Sequence, residues 1–373
     1  MNLEQVNKLI NFETYEVNWT KVEKIPEFAV LATCKQNPTW HKEGDALKHT
    51  KCVVEAAQEI INRKDIPLSS LAKALLITSA LFHDIGKGVT TEFKKGNWHA
   101  YNHEFEGERI TRKLLWDCPV RWREEVCALV RWHMEPLRVF DGKEHLEKIV
   151  RLSKRTYIYI LLYLKEADLM GSDQVQDKTN DFSKLQMIRN ITLDMGCYDT
   201  KGIIPVDGEY PWLKQEPKHK VFMLIGLPGS GKDTYLKTMC EKDDEWKNAV
   251  VLCRDDIRVE LGLCEEGEKI VAKAHDEDRV TKIFNDRMVE AAKEGKNIII
   301  NNINLKKKYR DDYHQRIAQY PYSWEYVYIE ADSLDKNIER RENQIIPDVF
   351  KNMIICIDWP DYTEYDKLTI ETN

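Results

Sequence analysis

An apolar run, Val221 to Ile225, breaks into Gly226-Leu227-Pro228-Gly229-Ser230-Gly231-Lys232, and this stretch constrains the fold of the 373-residue chain more than any other. A buried strand ending in a G-x-x-x-x-G-K loop needs a sheet to hold the strand and a helix to follow the loop. The glycines let successive backbone N–H groups turn inward, and the helix that follows adds its positive N-terminus. Such a loop cradles phosphates. Gly226, Gly229, Ser230 and Gly231 would line the cradle, and Lys232 would bridge the β- and γ-phosphates of a nucleoside triphosphate. Asp233 stands where a Ser or Thr ordinarily holds Mg²⁺, with Thr234 one residue later. A chance glycine turn explains neither the strand before the loop nor the Gly-Lys that closes it.

From residue 220 onward strand patterns alternate with helical ones, which predicts an α/β domain with a parallel sheet covered on both faces. Strands are expected at 221–225, 249–253, 297–301 and 326–330, and helices near 232–241, 277–294, 306–319 and 333–342. The second strand runs into Arg254-Asp255-Asp256-Ile257-Arg258. Strand ends of such a sheet are where a second substrate binds. Asp255 is therefore placed to take a proton from an attacking hydroxyl, and Arg258 to grip an acceptor phosphate. A solvated charged turn is the plainer alternative for this segment.

The first half reads differently. Over about 45–170 apolar residues recur three and four apart, the helical period, and ionisable residues keep falling on the apolar stripe. His49 is in register with Val53, Ala56, Ala57 and Ile60. His83, followed by Asp84, is in register with Ala72, Leu75 and Leu76. His133 continues the stripe of Trp122, Val126, Leu129 and Val130, and Asp168 that of Tyr157, Ile160, Leu161 and Leu164. Burying an ionisable group costs several kcal/mol unless it is paired. Any one of these histidines alone reads as an ordinary hydrogen-bonded core residue, but a metal ion shared by all of them would repay the whole set. Imidazole with carboxylate suits Mn, Ni, Co, Fe or Zn, and does not choose among them.

Between the halves, three prolines (Pro205, Pro211, Pro217) and several glycines mark a connection near 205–218, with helix over much of 181–195 closing the first domain. The expected domains are 1–210 and 215–373. No apolar run approaches the ~20 residues of a membrane span, and the first residues show no secretory pattern. Nine cysteines without a C-x-x-C pair fit free thiols in a reducing cytoplasm. A net charge of −7 excludes a protein that coats nucleic acid by bulk charge, so a nucleic-acid partner must be held locally. The basic run Lys306-Lys307-Lys308 with Arg310 is a candidate for that, or simply a solvated helix start. The sequence leaves the oligomeric state open, a homodimer included.

The order His, His-Asp, His, His, Asp resembles the HD phosphohydrolase superfamily. The likeness extends through His41-Lys-Glu-Gly-Asp-Ala-Leu-Lys-His49-Thr, Leu81-Phe-His83-Asp84-Ile-Gly-Lys87, His103-Glu-Phe-Glu-Gly107, Val130-Arg-Trp-His133-Met and Ala167-Asp168-Leu-Met-Gly171. It covers roughly 40–175, in the manner of HD domains attached to bacterial tRNA nucleotidyltransferases. The resemblance implies an all-α helical bundle in which His49, His83, Asp84 and Asp168 bind one metal. His103 and His133 would complete a second site or hold the substrate phosphate, and Lys87 would steady that phosphate. His41, His99, His145, His219, His275 and His314 stay outside this set.

The glycine loop and the R-D-D-x-x-R segment together resemble phage polynucleotide 5′-hydroxyl kinase, as do Asn302-Ile-Asn304-Leu305 and Glu339-Arg340-Arg341 before Ile346-Pro347-Asp348-Val349. That likeness implies that an arginine of the lid helix, Arg341 with Arg340 beside it, stabilises charge on the transferring phosphoryl group. Two departures stand out. Asn302 occupies a position usually held by Asp, and Asp233 replaces the loop hydroxyl, so Asp233 is expected to have taken over Mg²⁺ coordination. Joined, the halves resemble the HD-domain polynucleotide kinases of RNA end repair. This implies a two-domain enzyme that uses ATP or another NTP with Mg²⁺ to phosphorylate a 5′-hydroxyl end. One or two transition-metal ions would serve to hydrolyse a 2′,3′-cyclic, 2′- or 3′-phosphate end. RNA ends, or DNA ends, would be the substrate, with a separate RNA ligase as functional partner. The rival is a small-molecule nucleotidase fused to a nucleoside or nucleotide kinase. A non-catalytic sensor of phosphorylated ends is the third reading, and it leaves so complete a set of ligands without a purpose.

Overall fold

The computed structural model describes the whole chain except residues 38, 40, 43, 174–177, 200–216, 264–273, 341–346, 362, 363 and 373. Its internal contacts divide it into two units, Met1–Asp207 and Gly208–Asn373. The Pro/Gly-rich connection expected near 205–218 lies largely outside the described residues, as does Arg341.

The first unit is helical, as its stripes predict. Its main helices are α1 (Ala46–Asn62), α2 (Ser70–Phe82), α3 (His103–Leu114), α4 (Val120–Trp132), α5 (Ile158–Gly171) and α6 (Thr179–Asp194). Short helices at Leu3–Asn7, Trp19–Val22 and Pro26–Ala29 precede them. Helix α1 starts where the Asp45 carboxylate accepts the Lys48 N–H, and α2 where the Ser69 hydroxyl accepts the Ala72 N–H. One core joins these helices, with Val53, Ala57, Leu76, Leu129, Val130, Leu161 and Leu164 wholly or almost wholly buried.

Two glycines set how closely the helices approach. A Cβ on Gly171 would lie 2.6 Å from the Val53 backbone nitrogen, so α5 crosses α1 nearly backbone to backbone. A Cβ on Gly86 would lie 2.0 Å from the His103 carbonyl oxygen, which presses the start of α3 against the turn after α2. Helices α3 and α4 are locked by a buried cluster in which Glu124 accepts from both Arg112 and Arg123. The helical reading of 45–170 is interrupted once. Residues Thr91–Lys94 (β1) and Asn97–Ala100 (β2) form an antiparallel hairpin, with Phe93 opposite Trp98.

The second unit holds a five-stranded, all-parallel sheet, in the order β4-β5-β3-β6-β7. Its strands are β3 (His219–Ile225), β4 (Val250–Leu252), β5 (Ile298–Asn301), β6 (Tyr322–Glu330) and β7 (Lys367–Thr372). The strand feeding the glycine loop is thus central, and the chain winds first to one side of it and then to the other. The crevice at its carboxyl end is where ligands bind in such sheets. Alternation along β3 splits its side chains. Phe222 and Leu224 pack with Trp246, Ile299, Val327 and Ile329 beneath α7 (Lys232–Lys242). The opposite side faces α9 (Ala274–Lys293), which packs on β4 and β5.

Four elements here escaped the sequence reading: the edge strand β7, a short helix α8 (Arg254–Glu260) directly after β4, α12 (Pro347–Ile355), and a longer β6. The remaining helices, α10 (Lys307–Arg316) and α11 (Leu334–Arg340), fall close to their expected places.

The basic run at 306–310 is corrected in part. Arg310 is fully buried, with Nε 2.6 Å from Glu364 and its other nitrogens donating to the carbonyls of Asn304 and Asp358. It ties α10 to the loop before β7 and presents no charge to a ligand. Arg310→Met takes from buried Glu364 its nearest cation, leaving it Lys307 Nζ at 3.5 Å, and should destabilise this unit by about 3 kcal/mol. The paired change Arg310→Met/Glu364→Leu should regain most of it. Urea unfolding of the full chain, followed on the transition of the second unit, measures both.

Candidate metal centre and phosphate-binding loop

Six side chains from separate elements converge in the helical unit, and all six are buried. His49 comes from α1, His83 and Asp84 from the end of α2, His103 from the start of α3, His133 from the end of α4, and Asp168 from α5. Their ligand atoms form two clusters: His49, His83 and Asp168, and Asp84, His103 and His133. Asp84 joins the clusters. Its Oδ2 lies 3.2 Å from His83 Nε2 and 3.5 Å from His49 Nε2, while Oδ1 lies 3.3 Å from His103 Nε2 and 3.9 Å from His133 Nε2. His49 Nε2 is also 3.0 Å from Asp168 Oδ1.

Backbone carbonyls decide how three of these rings are protonated. His83 Nδ1 lies 2.8 Å from the Ala80 carbonyl, His103 Nδ1 2.9 Å from that of Ala100, and His133 Nδ1 2.7 Å from that of Val130. A carbonyl oxygen only accepts, so each Nδ1 carries a proton and Nε2 is the nitrogen each ring turns toward the centre. Burial favours the neutral form of His103 and His133, whose Nε2 atoms are then bare lone pairs. His103 Nε2 and His133 Nε2 stand 3.3 Å apart. Two lone pairs at that separation repel unless a cation lies between them. Two nitrogens at about 2.1 Å from a metal with tetrahedral angles are about 3.4 Å apart, so the spacing fits an ion.

Charge is arranged to the same end. Burial pushes the Asp84 carboxyl up, but His83, Lys87 and His103 together hold it well below the usual carboxylate range. Burial acts likewise on Asp168, where Lys165 and His49 bring it well below normal. Burial, with His103 and His83 nearby, depresses His133 well below the ordinary imidazole value. Carboxylate and neutral imidazole are the forms that bind metal.

Lys87 Nζ lies 2.6 Å from Asp84 Oδ2 and 2.6 Å from Gln36 Oε1, so it touches a ligand directly. Lys165 Nζ does the same for Asp168 Oδ2 at 2.6 Å. The sequence reading missed Lys165. Its signal was a lysine directly after the apolar run 158–164, one turn before Asp168 on the same helix face. His41, set aside earlier, packs edge-on to His49 with ring centroids 4.5 Å apart.

In the second unit Gly229 and Gly231 both have positive φ, 74° and 97°, and deliver the chain into α7. Lys232 Nζ lies 3.0 and 2.9 Å from the carbonyls of Gly226 and Leu227, and Ser230 is buried inside the loop. Helix α11 rests on the loop's outer side. Asn337 donates to the Pro228 carbonyl at 3.1 Å, and Arg340 to that of Gly229 at 3.0 Å.

Asp233 and Thr234 occupy the first turn of α7, and Asp233 Oδ1 accepts from Asn301 Nδ2 at 2.8 Å. Asn302 Oδ1 accepts the Arg254 backbone N–H at 3.0 Å and anchors α8. Asp255 and Asp256 stand in the first turn of α8. Burial raises Asp256, with Asp255 and Asp233 adding to the effect. Arg258 is bidentate to Glu277, at 2.7 and 2.8 Å, and 2.5 Å from Asp255 Oδ1. The guanidinium read as an acceptor-phosphate grip is thus held by two carboxylates, one of which it orients.

The helical unit therefore carries a buried His/Asp centre, and the second a phosphate loop at the switch point of a parallel sheet. Comparison with known proteins agrees. The HD domain family matches residues 46–168, and the AAA domain family residues 221–349. The chain joins an HD domain to an AAA-type P-loop domain. It is distantly related to a protein of Autographa californica nuclear polyhedrosis virus described, by inference, as a bifunctional polynucleotide kinase/RNA ligase. The two are 28% identical over 153 residues, which is 39% of this chain and 20% of the viral protein, so the chain spans about a fifth of that relative's length.

Among solved structures, similar chains occur in the Pnkp1/Rnl/Hen1 complex, at 23% identity and TM-score 0.28, covering 33% of this chain and 38% of the other. A second structure of that RNA repair complex gives 21% identity, TM-score 0.32 and coverage of 38% and 44%. A gluconokinase from Sinorhizobium meliloti 1021 gives 14%, 0.30, 42% and 84%. Similarity at these TM-scores is too slight to bear on function. Among the described residues, no helix is long and apolar enough to cross a membrane.

Gly86→Ala tests how the centre is assembled. A Cβ there meets the His103 carbonyl and the Gly107 nitrogen, both backbone, so α3 must move and carry His103 away from Asp84. Metal content per chain after Mn²⁺ or Ni²⁺ loading should fall by about half, with the His49/His83/Asp168 cluster still occupied.

Proposed function

We propose that the chain is a bifunctional end-healing enzyme for RNA. The P-loop domain transfers the γ-phosphate of an NTP to a 5′-hydroxyl end. The HD domain hydrolyses a 2′,3′-cyclic phosphate, or a 2′- or 3′-phosphate. One observation carries this reading above the others: a histidine–carboxylate centre with inward lone pairs shares one chain with a phosphate loop whose sheet edge presents Asp255. The relation to a viral protein described as a polynucleotide kinase/RNA ligase supports the choice of polynucleotide ends.

At the kinase site, Gly226, Gly229, Ser230, Gly231 and Lys232 hold the triphosphate, with Thr234 in the first turn behind them. Asp233, oriented by Asn301, contributes to holding Mg²⁺ in place of the usual hydroxyl. The 5′-hydroxyl oxygen bonds to the γ-phosphorus as the bridge to the β-phosphate breaks. Asp255 takes the hydroxyl proton, and the nucleoside diphosphate leaves. Arg258 fixes the Asp255 carboxylate and, on shifting from Glu277, reaches the acceptor phosphate. Arg340, already at the loop, and Arg341, outside the described residues, serve the phosphoryl oxygens.

At the HD site, His49, His83, Asp84 and Asp168 would hold one ion, and Asp84 with His103 and His133 a second. Mn, Ni, Co, Fe or Zn there supplies a Lewis acid and lowers the pKa of a coordinated water. Asp84 spans both positions, and the Nδ1 tethers keep the rings aimed at the phosphate. Lys87 neutralises Asp84 and, on exchanging its bond to Gln36, would steady a substrate oxygen. A water oxygen bonds to the phosphorus as the P–O bond to the 2′- or 3′-oxygen breaks. One proton of that water passes to the leaving oxygen, and the other stays with the phosphate or goes to solvent. A separate RNA ligase would then join the healed ends.

The buried position of Arg310 removes one cation from the run that favoured RNA, which keeps the small-molecule reading in play: a nucleotidase joined to a nucleoside or nucleotide kinase. One experiment separates the two. An oligoribonucleotide with a 5′-hydroxyl and a 2′,3′-cyclic phosphate is incubated with ATP, Mg²⁺ and Mn²⁺ or Ni²⁺, and both ends are mapped. Lys232→Ala should abolish only 5′-phosphorylation, and Asp84→Ala only processing of the cyclic phosphate, each by at least about a hundredfold. Turnover of nucleosides or mononucleotides with both RNA ends untouched gives the answer to the rival.

A further inference from the structure

The hairpin β1–β2 sits in the chain between two of the candidate ligands, Asp84 and His103, and both of its ends are fastened at the centre. Lys87, just before it, contacts Asp84, and Ala100, its last residue, accepts from His103 Nδ1. Across from it lie Gln36, the partner of Lys87, and His41, the neighbour of His49, together with Lys35, Asp45 and Lys48. These residues and the hairpin enclose a cleft of about 830 Å³. That volume lies within the ~300–1,000 Å³ of small-ligand sites.

The lining is specific in kind. Phe93 and Trp98, direct cross-strand partners with ring centroids 5.1 Å apart, form one wall, and Phe93 is 60% exposed. Exposed Lys35 and Lys48 lie on the other, with Lys35 Nζ 5.8 Å from the Trp98 ring and Asp45 the one carboxylate among the described lining residues. On a chain of net charge −7, an aromatic wall facing lysines is a local reversal of character. Aromatic faces that stack bases beside cations that track phosphates make up a platform for single-stranded nucleic acid.

We infer that this cleft seats the terminal nucleotides of a single-stranded polynucleotide, with a base on the Phe93–Trp98 pair and backbone phosphates on Lys35 and Lys48. The terminal phosphate then enters the centre past Gln36 and Lys87. The inference rests on the proposed end-processing activity and names its substrate class. It also explains why a hairpin interrupts a helical unit at this place. The hairpin is a recognition element held in register with the ligands it lies between.

The test compares kcat and KM of the metal-loaded full chain on a short oligoribonucleotide 2′,3′-cyclic phosphate and on a nucleoside 2′,3′-cyclic phosphate. Wild type should prefer the oligonucleotide. Phe93→Ala/Trp98→Ala should raise KM on it about tenfold or more, with kcat and metal content little changed. Phe93→Tyr/Trp98→Phe should restore it. Lys35→Gln/Lys48→Gln, both at exposed positions, should raise KM and flatten its salt dependence with metal content unchanged. Unchanged KM in the aromatic and lysine variants of an active enzyme overturns the inference alone. Equal or better kcat/KM on the nucleoside substrate overturns the polynucleotide assignment. Inactivity of wild type on every oligonucleotide end removes the proposed function, and the inference with it.

Discussion

The helical unit depends on a carboxylate that serves two masters. Asp84 divides its oxygens between two pairs of histidines and so joins the two clusters. Its burial would be untenable alone. Lys87 shares the burden from one turn away, as Lys165 does for Asp168, so each buried anion carries its own cation on its own chain segment. The close helix crossings permitted by Gly171 and Gly86 follow from the same need. Each removes a side chain where two backbones must meet for a ligand on one to reach a ligand on the other.

In the P-loop unit, stability and chemistry are organised by the sheet instead. Central position of β3 puts the loop at the reversal of winding, and every proposed catalytic group among the described residues lies just beyond a strand end or on α11 beside the loop. The charged residues divide into two kinds. Arg310 with Glu364 is sealed in the interior and holds α10 in place. Asp233, Asp255 and Arg258 are held by one another's neighbours, Asn301 and Glu277, in arrangements that a phosphate or cation can rearrange.

Much of this was legible in the sequence, for physical reasons. Helical periodicity exposes a polar residue on an apolar stripe, so His49, His83, His133 and Asp168 stood out as a set, where any one histidine alone reads as an ordinary core residue. The glycine loop announced itself through its strand and its Gly-Lys. What escaped had no periodic signature. The hairpin at 91–100 is short, half exposed and chiefly polar, so no apolar alternation marks its strands. Strand β7 lies at an edge and is mostly half-buried, and α8 is only 7 residues long. Arg310 looked like its exposed neighbours because a charged residue's burial depends on a partner 54 positions away. Neither Lys165 nor the choice of Asn301 over Asn302 could be settled without knowing which way each side chain points.

The hairpin's mode of attachment carries a consequence for how such a protein can diverge. Because each of its ends is fixed at the centre while a Cβ added at Gly96 in its tip would meet nothing within 4 Å, residues can be added or lost at the tip without disturbing a metal ligand. The helices hold the reaction constant, and the insertion is free to drift. New substrate preferences can then arise by exchanging a few exposed side chains, at little cost to folding, in a lineage whose hydrolytic chemistry never changes.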